Sequence, residues 1–183
     1  MKIIPIFEPY LFAFHFPGES ENELKKLWLE WSDSLKMTTF LKEHEIDWRK
    51  RGYESLMHAR REIMTNSQKF EDLLKDCCDN DKPKLDELFA ALRNSEYKSE
   101  INLAKRKARN SKRDNCLRIY ALKIDSNCYV VTGGAIKFTD RMEDRPHTQR
   151  ELDKLELCRN YLRSNGVVDE DSFFDFLKED YDE

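Results

Sequence analysis

The residues of this sequence whose types and spacing could do chemistry are concentrated in a basic run over residues 105–118. The cations of this run are Lys105, Arg106, Lys107, Arg109, Lys112, Arg113 and Arg118. Each cation that neutralises a phosphate releases counterions, so such a run predicts salt-dependent affinity for RNA or DNA that needs no base contacts. A solvated helix face is the alternative interpretation, because exposed lysine and arginine are common on any helix.

A second group of cations follows a predicted β-hairpin, and it contains Lys137, Arg141, Arg145, His147 and Arg150. Residues 93–150 hold 14 cationic and 7 acidic side chains, while the rest of the chain holds 18 and 29. The sequence pI is near 5.7, but a polyanion responds to the local field and not to the average charge. Two cationic segments that meet at one end of a sheet would favour nucleic-acid binding.

RNA is the polyanion that could be cleaved here without a metal ion. Its 2′-hydroxyl can attack the neighbouring phosphate when side chains supply a base, an acid and a charge clamp. Tyr120 and Tyr129 could stack on bases, and His147 is the only histidine of the basic span. The alternatives are that both tyrosines pack inside strands and that His147 only precedes a helix.

Other chemistries have little support in the sequence. It contains no GxxxxGK phosphate loop, no GxGxxG, no GxSxG and no HExxH motif, so no cofactor is expected. The 5 cysteines are odd in number and lack CxxC spacing, which predicts free thiols and no metal site. Gly133-Gly134 could present N–H groups to an anion, although a bulge or bend is the more common use.

Hydrophobic periodicity predicts the elements that must position these residues. Residues 3–16 are typical of a strand, and a helix is predicted after a capping box formed by Ser20 and Glu23. A long helix is predicted from residue 53 to about residue 78, and a basic helix over residues 97–110. Residues 117–124 and 128–132 form a predicted hairpin, and residues 135–139 are either a third strand or an extension of the second. A helix with Thr148 and Glu151 at its start follows and ends at Asn165-Gly166.

These elements predict an α+β domain in which a small antiparallel sheet, made of an N-terminal strand and a central hairpin, is covered by several helices. The 183 residues are enough for one domain, and 37% of them are charged. No signal peptide and no apolar run of membrane-spanning length are visible, so a cytoplasmic location with no membrane partner is expected.

From about Leu85 onward, the order of features resembles the RelE/ParE superfamily of bacterial toxins, particularly its HigB-like branch. The resemblance is carried by Leu117-Arg118-Ile119-Tyr120, by Tyr129 to Thr139 with Lys137, and by the helix from Thr148 to Leu162. It covers mainly residues 85–163, with residues 3–16 as the first strand and residues 20–80 as a helical insertion within a single domain.

The resemblance implies a toxin of a toxin-antitoxin system that cleaves mRNA, on the ribosome in many relatives, and that a partner antitoxin holds inactive. By the resemblance, Arg118, Lys137 and Arg141 would hold the phosphate, and Tyr120 or His147 would move protons. The predicted nucleic-acid contacts are Lys105, Arg106, Lys107, Arg109, Lys112, Arg113, Arg145 and Arg150. The alternative is a non-catalytic protein-interaction module of a bacterium or mobile element, whose acidic helical part binds a protein.

Overall fold

The computed structural model of the chain describes residues 1–78, 83–91, 103–108 and 115–182. The strands are β1 (Lys2–Phe7), β2 (Leu11–His15), β3 (Phe89–Ala91), β4 (Ala104–Ala108), β5 (Leu117–Asp125) and β6 (Cys128–Ile136). The helices are α1 (Glu23–Ser32), α2 (Ser34–Glu43), α3 (Glu45–Lys50), α4 (Leu56–Cys78), α5 (Leu85–Leu88), α6 (Pro146–Ser164) and α7 (Glu170–Asp182). This content confirms the predicted α+β class.

The strands form one sheet in the order β1-β2-β6-β5-β4-β3. All neighbouring strands are antiparallel except β2 and β6, whose parallel register covers only Leu11 to Ala13 and Tyr129 to Val131. β6 continues to Ile136 along β5, with a bulge where Thr132 has no partner residue. Residues 135 and 136 therefore extend the second strand of the hairpin. Most of the sheet is antiparallel, as predicted, and one strand pair makes it mixed.

Helices α1, α2, α3 and α4 cover one side of the sheet, here called the α1–α4 face. Strand residues alternate between the two sides, and Leu117, Ile119 and Ala121 point to this face. They join a core that includes Trp31 and Phe70, both almost fully buried. Burying a side chain of that size contributes about 1.5–3 kcal/mol each. The segment expected as an insertion thus packs directly on the sheet.

Helices α6 and α7 cover the opposite side, here called the α6–α7 face. The alternate β5 residues Tyr120, Leu122 and Ile124 belong to its core, together with Leu155 of α6 and Phe173 of α7. The sheet is therefore sandwiched between two helical layers. In the described ranges, no helix has the length and apolar character needed to cross a membrane.

Two local predictions about strands were wrong. Residues 104–108 form β4 and not part of a helix, because pairing with β5 outweighs the helix propensity of lysine, arginine and alanine. Residues 3–16 form two strands with a turn at Glu8 to Tyr10.

The N-terminal caps of α1 and α6 also differ from the prediction. The side chain of Asn22 caps α1, and α6 begins at Pro146 after Arg145, with no side-chain cap. The predicted end at Asn165-Gly166 agrees with the structure, where Gly166 has φ of 77°.

Candidate phosphate-binding site and adjoining cavity

Three cations from three different segments lie on the α6–α7 face at one end of the sheet. Lys107 of β4 pairs with Tyr120 of β5, and Arg118 lies two residues before Tyr120 on the same face. Arg118 pairs with Ala135 of β6, and Lys137 follows two residues later. The Lys137 N–H donates to the Cys116 carbonyl at 2.7 Å, which continues the ladder to this point. The fold therefore brings the two cationic segments of the sequence together.

Electrostatics support this grouping, here called the cationic cluster: Lys107, Arg118, Lys137 and Arg51. Burial is the largest cause that lowers the pKa of Lys137, and the charges of Arg118, Lys107 and Arg51 lower it further. Asp140 opposes them weakly, because its side chain is fully exposed. The cluster thus brings like charges close together, with Asp140 at 3.7 Å from Arg51 as a neighbouring carboxylate.

Arg51 is the member that sequence reasoning missed. It follows α3 and reaches across to the segment after β6, where it donates to the carbonyls of Phe138 and, at 3.4 Å, Thr139. The helical segment of residues 20–80 therefore contributes directly to the candidate site. No periodic or motif signal marks Arg51, since 86 positions separate it from Lys137 in the sequence.

The backbone holds Arg118 in place. Its Nη1 donates to the carbonyls of Asn115 at 2.8 Å and Leu117 at 2.6 Å. Tyr120 is buried near this guanidinium, with 1% of its surface exposed, and burial raises its pKa. Its hydroxyl has no hydrogen-bond partner within the described residues. In this conformation Tyr120 cannot stack on a base, but its protonated hydroxyl remains near Arg118.

The other members of the basic run that the structure describes are separated by strand alternation. Lys105 is paired with Glu156 of α6, which leaves it neutralised. Arg106 points to the α1–α4 face, where its Nη1 is buried. Arg109, Lys112 and Arg113 lie outside the described residues. The run does not form the single solvated helix face that the sequence allowed as an alternative.

The cations after β6 have different surroundings. Arg145 makes a two-pronged ion pair with the buried Asp47, at 2.7 Å and 2.5 Å, and this pair is the main cause that lowers the pKa of Asp47. Arg141 is exposed, and its N–H donates to Asp144. Arg150 is exposed on α6. Neither Arg141 nor Arg145 is among the charges that act most strongly on Lys137.

His147 faces α2 and not the cationic cluster. Its Nε2 donates to the Ile136 carbonyl at 2.9 Å, and its ring lies 4.7 Å from the ring of His44 and 5.2 Å from that of Phe40. Burial, and then the charges of His44 and Arg150, lower its pKa. Tyr129 is also committed to packing: its hydroxyl donates to Asp86 at 2.5 Å, and its ring stacks on Phe89.

A buried ion network lies beside the cluster, where the two helical layers meet around the free part of β6. Lys154 of α6 contacts Glu23 of α1 at 2.5 Å and Glu151 at 2.9 Å. The side chain of Glu23 is 3% exposed and that of Glu151 is 14% exposed. Burial lowers the pKa of Lys154, but the two carboxylates outweigh this effect and raise it overall.

A cavity of about 280 Å³ adjoins this network at the same edge of β6. Trp31, Met37 and Phe40 give it apolar walls, and Glu151 brings a carboxylate. Burial raises the pKa of Glu151, whose Oε2 is buried, and the Gly134 backbone N–H and Lys154 oppose this shift. Sequence reasoning treated Glu151 only as a helix-start residue. The raised pKa makes it a candidate for ligand binding or proton transfer.

Within the described residues, no group of three or more histidine, cysteine, aspartate or glutamate side chains is placed to hold a metal ion. All 5 cysteines are free and buried. Comparisons with known proteins add no further assignment: no family model matches the chain, and no curated protein or solved structure is significantly similar to it.

Proposed function

We propose that this protein binds RNA through the cationic cluster and cleaves it without a metal ion, as a RelE-like or HigB-like toxin acting on mRNA. One observation carries the proposal: Lys107, Arg118 and Lys137 come from three segments and converge on one sheet face, where Arg51 joins them. Cations that repel each other at a partly buried position cost stability unless an anion binds there. A phosphodiester would add negative charge beside these cations.

The cleft next to the cluster is a less suitable phosphate site. It has a volume of about 590 Å³, and Asp47, Asp140 and Asp144 line it alongside Arg51 and Arg145. Arg145 is already neutralised by Asp47, and the other two carboxylates would repel a phosphate. The proposal therefore rests on the sheet face.

In the proposed reaction, the 2′-oxygen of RNA attacks the adjacent phosphorus and the bond from phosphorus to the 5′-oxygen breaks. The products are a 2′,3′-cyclic phosphate and a 5′-hydroxyl. Arg118, Lys107 and Arg51 hold the phosphate and its developing charge. Lys137 is the best-placed side chain for proton transfer, because its lowered pKa makes its neutral form more accessible. Tyr120 remains a second candidate through its unpartnered hydroxyl, whereas His147 is turned toward α2.

The positive charge of the cationic cluster also indicates which partners the protein would bind. An antitoxin would inhibit such a protein by placing an acidic segment on the cationic cluster, in competition with RNA. The ribosome would supply the substrate in a polyanionic setting, as the resemblance implies. Arg141 and Arg150 are exposed and could add phosphate contacts along the bound strand.

The test is inducible expression in a bacterium, with growth and mapped mRNA 5′ ends as the readouts. Wild type is compared with Arg118→Ala/Lys137→Ala and with Arg163→Ala/Lys178→Ala, which removes the same charge from exposed positions outside the site. We expect growth arrest with new 5′ ends for wild type and the control, and neither effect for the cluster variant at equal soluble protein. Normal growth and an intact transcriptome for soluble wild type would refute the proposal.

A second candidate function is a non-catalytic interaction module, and one observation favours it. Of the 6 large hydrophobic side chains that are exposed in the described residues, Leu29, Leu35, Ile46 and Met57 all lie on helices of the α1–α4 face. A protein partner that docks on these helices would remove these side chains from water. Replacing Leu35 and Ile46 by serine should abolish capture of a protein partner and leave RNA cleavage intact if both functions exist.

A further inference from the structure

A separate pocket lies where α4 meets the start of β5, on the α1–α4 face of the sheet. Its volume of about 310 Å³ is at the lower end of the range for small-molecule sites, so it is large enough for one ring system. Its lining includes Arg51 and Tyr53 after α3, His58, Glu62 and Asn66 of α4, and Asn115 before β5. The α4 residues are four positions apart and therefore share one face of that helix.

The side chain of Asn115 is the feature of this pocket that points to a ligand. The residue is buried, with 4% of its surface exposed. Its Oδ1 accepts the Leu117 N–H at 2.8 Å, and because that N–H can only donate, the remaining Nδ2 must be a donor. Nδ2 is buried without a hydrogen-bond partner among the described residues. A buried donor without a partner costs free energy, and a ligand that brings an acceptor would remove this cost.

The other lining groups favour a neutral ligand. The Nδ1 of His58 accepts the Glu54 N–H at 3.4 Å, so the neutral ring carries its hydrogen on Nε2 as a second donor. The exposed carboxylate of Glu62 offsets the positive charge of Arg51, so the lining has no net charge while His58 is neutral. A phosphate or carboxylate therefore has no electrostatic advantage here over a neutral group that carries acceptors.

Two aromatic rings line the pocket at an angle to each other. The centroids of the Tyr53 and His58 rings are 5.8 Å apart, and the angle between the ring planes is 74°. The Tyr53 ring also packs against Phe138, with centroids 6.3 Å apart, and its hydroxyl contacts the Cys116 sulfur at 3.8 Å. Tyrosine and histidine rings are among the groups on which unstacked bases of single-stranded RNA are bound.

The pocket adjoins the cationic cluster through two residues. The Asn115 carbonyl accepts from Nη1 of Arg118 at 2.8 Å, so a residue that lines the pocket also holds a guanidinium of the cluster. Arg51 both lines the pocket and belongs to the cluster. A nucleotide whose phosphate contacts the cluster therefore has this pocket beside it.

We propose that the pocket binds one unstacked nucleobase of the RNA strand whose phosphate contacts the cationic cluster. Every base has an acceptor in the ring plane for Asn115 and a ring face for Tyr53 or His58, so the site binds a base without selecting its identity. The inference rests on the proposed RNA binding and deepens it, because a bound base positions the strand at the cluster.

The first test is fluorescence anisotropy of the full chain with a short labelled RNA and with a strand of equal length in which every base is replaced by an abasic ribose. We expect the abasic strand to bind at least about 5-fold more weakly, because stacking contributes about 1–3 kcal/mol per base. His58→Ala should remove most of this difference, and His15→Ala, at the end of β2, is the control. Equal affinity of the two strands, or the same difference in His58→Ala, would overturn the inference.

The second test does not depend on the cluster or on a variant. Uncharged nucleosides are titrated into isotopically labelled protein, and NMR follows the side-chain amide of Asn115 and the ring of His58. We expect both signals to shift with nucleosides and not with equal concentrations of ribose or inorganic phosphate. Shifts with nucleosides in a protein that does not bind RNA would support the base site and refute only the proposed function. Absence of nucleoside shifts, or larger shifts with phosphate, would overturn the base site.

A substitution of Asn115 tests the buried donor itself. Asn115→Asp keeps an acceptor for the Leu117 N–H and removes the Nδ2 donor, so we expect several-fold weaker nucleoside binding in the NMR titration. Unchanged nucleoside binding by this variant in its folded form would contradict the role given to the amide. If the variant does not fold, the wild-type titration still decides whether a base occupies the pocket.

Discussion

Lys137 and Lys154 are both partly buried lysines close to β6, yet their pKa values shift in opposite directions. Burial and three neighbouring cations lower the pKa of Lys137. Two carboxylates raise the pKa of Lys154 in spite of its burial. The difference lies in the neighbours and not in the depth of burial.

The comparison separates a structural cation from a candidate functional one. Lys154 joins Glu23 of one helical layer to Glu151 of the other, so its charge is satisfied inside the fold. Lys137 donates to the Asp140 backbone carbonyl, and Arg118, Lys107 and Arg51 outweigh the Asp140 carboxylate in their effect on its pKa. A charge that the fold leaves uncompensated is available to a ligand.

Removing Lys154 should have the largest effect. Lys154→Met leaves two buried carboxylates facing each other, and we expect the free energy of unfolding to fall by on the order of 3 kcal/mol. Lys137→Met is the matched comparison and should leave stability unchanged or slightly higher, since it relieves repulsion. Urea unfolding at pH 7 measures both. Similar losses for the two variants would remove the distinction between them.

Arg145→Ala should destabilise the protein less than Lys154→Met does. The reason is that the Arg145 side chain is 37% exposed, while its partner Asp47 is 6% exposed. The pKa of Asp47 is lowered from its ordinary value of 3.8, so the pair stabilises the fold above that pH. The contribution is lost as the pH falls through the lower pKa of the folded state. The stability gap between wild type and Arg145→Ala should therefore close in acid, which unfolding curves at pH 7 and near pH 3 would measure. A gap that widens in acid would contradict this assignment.

Arg118→Ala should weaken RNA binding in a salt-dependent manner. Removing one phosphate contact lowers the slope of log K against log salt by about 0.7 for a single strand. Fluorescence anisotropy with a labelled oligonucleotide at several salt concentrations measures this slope. Arg163→Ala is the control and should leave it unchanged. An unchanged slope for Arg118→Ala would place phosphate binding elsewhere.

The smallest expected effect is a change in the pKa of Lys137 itself. Arg118→Ala removes a neighbouring cation, so the pKa of Lys137 should rise toward its ordinary value, while that of Lys154 stays raised. An NMR titration of isotopically labelled lysine side chains follows both groups in one sample. If the pKa values of both lysines change together, the variant has altered the fold and not only the local charge.

The sequence predicted the elements with strong local periodicity. The α4 stripe of Ile63, Phe70 and Leu74 is buried as its spacing indicates, and the β5–β6 hairpin forms where alternation appears in the sequence. Strand β4 was missed because Lys105, Arg106 and Lys107 have high helix propensity and the strand is held by its neighbour β5.

The candidate site was predictable only in part, because only some of its residues are positioned by local strand pairing. Arg118, Lys137 and Lys107 stand near the hairpin, and hairpin pairing by itself brings strands together. Arg51 and Glu151 depend on how helices pack over the sheet, and no spacing in the sequence encodes that packing. Arg145 was predicted to contact nucleic acid but is paired with Asp47, a partner 98 residues away.

The pairing of β2 with β6 ends at Val131, so the rest of β6 forms a border of the sheet where the two helical layers come into contact. At this border, the ion pair between Glu23 and Lys154 joins the two helical layers. The pair requires a glycine at position 133, since an added Cβ would lie 2.4 Å from the Lys154 amine. The two layers also meet at the start of α6, where His147 contacts Phe40 of α2 and Arg145 pairs with Asp47 of α3. A change at this border, such as Lys154→Met, is therefore expected to loosen both helical layers and not one alone.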